Sequence, residues 1–240
     1  MIEERIESFI DYLSYIRNHC TREHLFRGIN NVSFKLIPKI GRSAYVEQFH
    51  GSQPEILNQL QDLEEQIMDQ FRRMSVPFMD LRHMSAWDQW TIGQHYGLPT
   101  RFLDWTENPL IAAYFAVENA KVDAAVYIID RTQFNTSNDI DDPFSADDEI
   151  LLHVPSYINA RIIAQKGAFT VHKNPTIPID ETIIAGTPCS VVKLIIEQSH
   201  HEEFVDSLNW CGINKSFIYP GLDGLANYLD FSAKDWKRRG

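Results

Sequence analysis

Gln94 to Pro109 reads QHYGLPTRFLDWTENP and gathers an imidazole (His95), a phenol (Tyr96), a guanidinium (Arg101), a carboxylate (Asp104) and an indole (Trp105) around two turn formers, Gly97 and Pro99. Such a set is able to hold an anion, stack a planar ring on an aromatic wall and move a proton through the histidine. A second reading of the same residues is architectural: Arg101 and Asp104 pair with each other, Trp105 anchors a core, and Thr106 or Asn108 caps a helix. The two readings differ in whether the side chains converge on one pocket. Arg27 poses the same alternative. It ends a short apolar run, His24-Leu25-Phe26, and beside Gly28 it either binds an anion or braces a carboxylate.

Other chemistries lack their residues. His200 and His201 are adjacent, so on a helix they point about 100° apart and do not converge on one ion as an i, i+4 pair does. The remaining histidines are scattered without an HExxH, and no metal is expected. GxxxxGK followed by Ser or Thr, GxGxxG and GxSxG are all missing, which removes the usual support for P-loop, Rossmann and α/β-hydrolase chemistry. A nuclease needs acidic metal ligands in a cleft. Asp139, Asp141 and Asp142 instead fall in an acid-rich stretch, Asn135 to Glu149, which reads as an exposed loop without EF-hand spacing.

The elements that must position these residues follow from periodicity and punctuation. Ile6, Phe9, Ile10, Leu13 and Ile16 share one face of a helix over 3–17, opened by Glu3, Glu4 and Glu7. His24 to Gly28 reads as a strand ending in a turn. Pro54 starts a helix carrying Ile56, Leu60, Leu63, Ile67 and Phe71, and Ser85 caps one carrying Trp87 and Trp90 that Gly97 stops. Leu98 to Trp105 is extended, Asn108-Pro109 restarts a helix over 110–117, and Ala124 to Ile129 is a buried strand. Ala160 to Val171 and Ser190 to Ile196 read as further strands, joined by a proline-bearing connection over 174–188. The S-x-x-E spacing of Ser199 and Glu202 suggests a capping box for a helix through Trp210, closed by Gly212, and 221–231 is the last helix. One mixed α+β domain over 1–240 is the economical organisation.

The chain has 240 residues, with 22 Lys plus Arg against 33 Asp plus Glu and a formal net charge of −11. An acidic balance disfavours nonspecific nucleic-acid binding, which needs Lys and Arg to displace counterions. A hydrophobic share of 44% excludes a disordered chain. No run approaches the ~20 apolar residues that span a bilayer, and MIEERIESF is acidic and amphipathic, not a basic leader with an apolar run. Cys20, Cys189 and Cys211 are widely spaced and odd in number, against a disulfide framework or a cysteine zinc site. The expectation is a soluble cytoplasmic protein with no membrane partner. Much of the acid lies in the N-terminal helix and the 139–149 loop, whereas Arg27, Arg101 and Arg161 lie elsewhere, which suggests an acidic shell around a locally basic pocket.

Several of these segments together resemble the FRG domain family of bacterial and phage-associated proteins, named for a Phe-Arg-Gly motif. Here that motif is Phe26-Arg27-Gly28, and Gln94 to Val117, QHYGLPTRFLDWTENPLIAAYFAV, is similar to the family's longest motif with Phe102 where leucine is usual. Ala125-Val126-Tyr127, Arg161 to Thr170, Gly212 to Ser216 and Pro220 to Leu225 continue the resemblance, which spans 25–229. Pro220-Gly221 departs from the family's usual turn. The resemblance implies a host-conflict role: an effector of phage defence or of a toxin system, with a phage or host protein as partner.

A weaker similarity is to the motif order of ADP-ribosyltransferases, and it implies a central, mostly antiparallel sheet flanked by helices. It also implies NAD as a substrate, not a resident cofactor. On this scheme Arg27, Gly28, Gln94, Tyr96, Arg101, Trp105, Thr106 and Arg161 bind the nucleotide, with Arg27 on the diphosphate and Tyr96 or Trp105 against nicotinamide. His95 serves as general base, Asp104 or Glu107 supplies a carboxylate for the oxocarbenium-like transition state, and Gln165 occupies the acidic residue's place. The alternative is a non-catalytic module that uses the same pocket to recognise a nucleotide or a protein. Neutral Gln165 and the lack of a familiar triad favour it.

Overall fold

The computed structural model describes residues 1–145, 147–156 and 160–234. In chain order the strands are β1 (Ile2–Ile6), β2 (His24–Ile29), β3 (Phe102–Thr106), β4 (Ala124–Asp130), β5 (Asn135–Thr136), β6 (Ile150–His153), β7 (Gly167–His172), β8 (Ile183–Ile184), β9 (Thr187–Pro188) and β10 (Val191–Ile196). The helices are α1 (Phe9–His19), α2 (Ser43–Val46), α3 (Gln53–Ser75), α4 (Ala86–His95), α5 (Pro109–Val117), α6 (Ala160–Gln165), α7 (His201–Trp210), α8 (Lys215–Ile218) and α9 (Leu222–Lys234). Eight strands form one sheet in the order β1-β10-β4-β2-β3-β7-β6-β5, and β8 and β9 make a separate small hairpin. Within the sheet only the outermost pairings, β1 with β10 and β5 with β6, are parallel. This is the expected α+β architecture, a mostly antiparallel sheet flanked by helices.

Three expected elements are corrected. Residues 2–6 are a strand, not the start of a helix: Lys193 donates to Glu3 at 2.9 Å and Arg5 to Glu197 at 2.6 Å, so charged side chains are paired along the sheet edge. The helix begins at Phe9 because extended Ser8 accepts the Asp11 N–H at 3.1 Å, and the face it buries centres on Phe9 and Tyr12, leaving Ile10 exposed. Ala160 to Val171 is a helix and then a strand, divided at Lys166, whose φ of 45° is left-handed. Thr106 donates to the Gln165 carbonyl at 2.6 Å and satisfies that helix end. Finally, Ser199 caps nothing. A single 3₁₀ turn, Gln198–His200, precedes α7, and Asp123 accepts the Gln198 N–H at 3.0 Å.

Locally encoded elements fall as read. Ser85 accepts the Asp88 N–H to start α4, and Asn108 accepts the Leu110 N–H with Pro109 in the first turn of α5. One face of the β1-β10-β4-β2 half packs on α1, α5 and α7 through Phe26, Val126, Leu194, Phe204 and Leu208. On the other half Phe102, Phe169 and Val171 meet Met68, Trp87 and Trp90 of α3 and α4. Leu25, Leu103, Trp105 and Tyr127 make the opposite face, closed by Leu36 and Ile179.

The site's geometry comes from how the two halves join. β2 pairs with β4 over six residues and β3 with β7 over five, but β2 meets β3 at one pair, Phe26 with Thr106. Beyond that pair the strands diverge. α5 lies directly on β2, so close that a Cβ on Gly28 would stand 1.9 Å from the Ala112 carbonyl oxygen and 2.5 Å from the Ala116 nitrogen. Glycine is there because backbone meets backbone.

A Gly28→Ala variant is therefore expected to lose about 1–3 kcal/mol of stability, because the helix must lift from the strand. Gly167→Ala, with nothing within 4 Å of its built Cβ, is the near-neutral control. Urea unfolding midpoints of the two variants check this.

Candidate functional site

The divergence of β2 and β3 opens a cleft of about 900 Å³. Arg27 lines it. One Nη donates to the Asp104 carbonyl at 2.5 Å and lies 3.3 Å from an Asp104 carboxylate oxygen, so the side chain supplies across the gap what the strand ladder does not. Its Nε is buried with no hydrogen-bond partner among the described residues. Burial pulls the proton affinity of this guanidinium down and Arg42 adds to that, against the opposing charge of Asp104. Such a group gains from an anion.

Nine of the eleven residues expected at the site line this cleft: Arg27, Gly28, Gln94, His95, Asp104, Trp105, Thr106, Arg161 and Gln165. Tyr96 and Arg101 do not. Tyr96 is 64% exposed and meets His95 edge-on. Arg101 is buried and turned to Glu64 of α3. Its Nε and Nη donate to one carboxylate oxygen at 3.1 and 2.8 Å, and its backbone N–H donates to the other at 2.7 Å. This replaces the Arg101–Asp104 pair. Burial pushes the Glu64 carboxyl up against the pull of Arg101.

Some of the nine have evident architectural duties. The Trp105 indole belongs to the core on the opposite face and donates to Thr170 at 3.0 Å, so it is not a stacking wall. Phe115 and Phe34 also line the cleft. Gly28 seats α5, and Thr106 caps α6. Gln165 donates through Nε2 to the Ile218 carbonyl at 3.2 Å, and the Arg161 guanidinium lies 4.7 Å from the Tyr219 ring centroid. Glu107 pairs with Arg131 at 2.9 Å and does not line the cleft, which leaves Asp104 as the candidate carboxylate. Burial and nearby Arg161 hold the His95 imidazole below its ordinary value against the opposing Asp104, so it is neutral near pH 7 and able to accept a proton.

Lys35, Arg42 and Glu118 also line the cleft and were not singled out in the sequence. Glu118 accepts from Tyr114 at 3.0 Å and Tyr219 at 3.1 Å, and it follows α5 directly. Arg42 sits next to Gly41 in a stretch legible only as loop, with no periodic signal to mark it. The lining thus carries four cations, Arg27, Lys35, Arg42 and Arg161, against two carboxylates, Asp104 and Glu118. In a chain of net charge −11 the cleft is locally basic. Among the described residues no three His, Cys, Asp or Glu side chains cluster as metal ligands, and no helix is long and apolar enough to cross a membrane. Asp141 is exposed and Asp142 accepts from the Phe144 and Ser145 N–H groups, while the Asp139 side chain lies outside the described residues.

Residues 22–125 match the FRG domain, and the chain carries that domain. The matched stretch holds Arg27, Gln94, His95, Asp104 and Glu118, and the wall formed by Arg161 and Gln165 follows it in the chain. No curated protein and no solved structure matches the chain.

Arg101→Met removes one partner of a buried pair and is expected to cost about 3–5 kcal/mol by urea unfolding. A pH dependence also follows. Burial lowers His153 to about 4, and burial with Arg101 and Arg27 lowers His172 to about 3. Unfolded, each titrates near 6.5, so the unfolded chain binds more protons between that value and the folded one. Stability from both histidines is full above pH 6.5 and falls with acidification, by up to about 1.4 kcal/mol per pH unit for each. Urea midpoints between pH 7 and pH 4 should decline, less steeply in His153→Gln or His172→Gln.

Proposed function

We propose that the cleft binds NAD or a related nucleotide, with the diphosphate against Arg27 and Arg42, and that its chemistry is transfer or hydrolysis of ADP-ribose. The observation that carries this reading is Arg27. It offers a buried N–H with no partner among the described residues, near a second guanidinium, in the lining of a cavity in the size range of small-molecule sites. Guanidinium groups suit phosphate oxygens through paired charge-assisted bonds. Phe115 or Phe34 supplies a face for a planar ring.

In the proposed reaction the bond between ribose C1′ and the nicotinamide nitrogen breaks, and its electron pair leaves with nicotinamide. Positive charge develops at the ribose, where the Asp104 carboxylate stabilises it. An oxygen of water or of an acceptor then bonds to C1′, and its proton passes to the neutral His95 imidazole. We place this chemistry in a host-conflict setting, phage defence or a toxin system, with a phage or host protein as acceptor or partner, which is the role the resemblance to FRG proteins implies.

A second reading, a non-catalytic recognition module, is favoured by a specific observation: several polar groups of the cleft are already engaged. Asp104 is held by Arg27 and Gln94, Glu118 by two tyrosines, and the Gln165 amide by a backbone carbonyl.

Incubating the purified chain with NAD separates the two. Nicotinamide release that Arg27→Ala abolishes supports the enzyme. Absent release with thermal stabilisation by NAD, worth about 2.7 kcal/mol at a hundred times Kd and lost in the same variant, supports the module. Neither effect, with any of NAD, ADP-ribose or AMP, refutes nucleotide binding.

A further inference from the structure

Asp104 is held by a chain of hydrogen bonds whose direction is forced. A carboxylate only accepts, so the Gln94 atom 2.9 Å from its Oδ2 is Nε2, and the opposite end of that amide is an oxygen. Thr100 Oγ1 lies 2.5 Å from that oxygen and so must donate to it. It is free to do so, because the Phe102 backbone N–H donates into Thr100 Oγ1 at 3.1 Å and leaves the hydroxyl proton for Gln94. Thr100 is wholly buried, and its own backbone carbonyl accepts from the Ile40 N–H, so the origin of the chain is fixed in the core. Oδ2 of Asp104 thus takes Gln94 and Arg27 together, while Oδ1 has no hydrogen-bond partner among the described residues. The Asp104 side chain is 53% exposed and lines the cleft.

We propose that Thr100 and Gln94 are positioning residues that present the Asp104 Oδ1 to the cleft, and that the ligand is a ribosyl phosphate whose hydroxyl donates to it while its phosphate meets Arg27. The inference rests on the nucleotide reading and deepens it by naming the sugar as the part that is read. A carboxylate oxygen rejects a group that cannot donate, and an acceptor left unpaired by a hydroxyl-free ligand loses what the hydroxyl would have gained. Thr100 and Gln94 touch no ligand in this scheme. They act through the orientation of Asp104.

The test measures affinity by calorimetry for AMP and for 2′,3′-dideoxy-AMP, which differ only in the hydroxyls. The wild-type chain is expected to prefer AMP by about 10–100-fold, the worth of a hydrogen bond to a charged group. Thr100→Val and Gln94→Met should each lose that preference, read as the ratio of the two affinities within each variant, and Thr100→Ser should restore it. Gln94→Met lies outside the core and keeps the test open if Thr100→Val fails to fold. Equal binding of the two nucleotides by the wild type, or a full preference kept by Gln94→Met, overturns the relay while leaving the anion site standing. No binding of either nucleotide overturns both.

Discussion

One ladder pair joins the two halves of the sheet, and the guanidinium of Arg27 bridges the gap beside it. Everything that makes a site here depends on that incomplete seam. A full ladder between β2 and β3 would close the sheet and consume the Asp104 carbonyl in backbone pairing. With only Phe26 and Thr106 in register, the strands part, α4 and α5 cover separate halves, and a cavity remains between them. The same arginine that bridges the opening also contributes positive charge to its lining, beside Lys35, Arg42 and Arg161.

The walls of the opening are held by different means. On the β2 side the fit of α5 is backbone on backbone at Gly28, which makes strand and helix one rigid unit. On the β3 side the buried Glu64–Arg101 pair ties α3 to the strand's start, and the His172 N–H donates to the Arg101 carbonyl at 3.1 Å. The third wall is attached through side chains, with Gln165 to the α8 backbone and Tyr219 to Glu118. The third wall adds these polar contacts to the burial of Ile162 and to the Glu107 N–H donated to the Lys166 carbonyl.

What the sequence made legible is what local chemistry decides. Ser85 and Asn108-Pro109 announce their helices because the cap and the residues it satisfies are neighbours. Ile2 to Ile6 looked helical because its charges and isoleucines also suit a helix face, and the interaction that decides the matter is a pairing with β10 nearly the whole chain away. The run from Ala160 is apolar in both periodicities, and only the left-handed Lys166 shows where helix gives way to strand. The crowding of polar groups over 94–109 named several residues that line the cleft, but not who pairs with whom. Arg101 and Asp104 were close in sequence and opposite in charge, yet they go to different surroundings, Arg101, just before β3, to Glu64 of α3 and Asp104, within it, to Arg27 of β2. Arg42 and Glu118 were invisible for the same reason: tertiary convergence alone gives them a role.

The contrast between the basic cleft and the acidic chain bears on how fast a ligand arrives. At long range a phosphate-bearing molecule meets the field of a body carrying −11, and only within about 8–10 Å, the Debye length at physiological salt, does the local excess of arginine and lysine take over. Salt then has opposite effects on the two halves of the encounter, easing the approach by screening the outer repulsion and loosening retention by screening the inner attraction. Long polyanions, which extend beyond that distance on both sides, stay in the repulsive region along most of their length. On the nucleotide reading proposed above, this charge distribution would act as a size filter that favours short anions able to fit wholly inside the cleft.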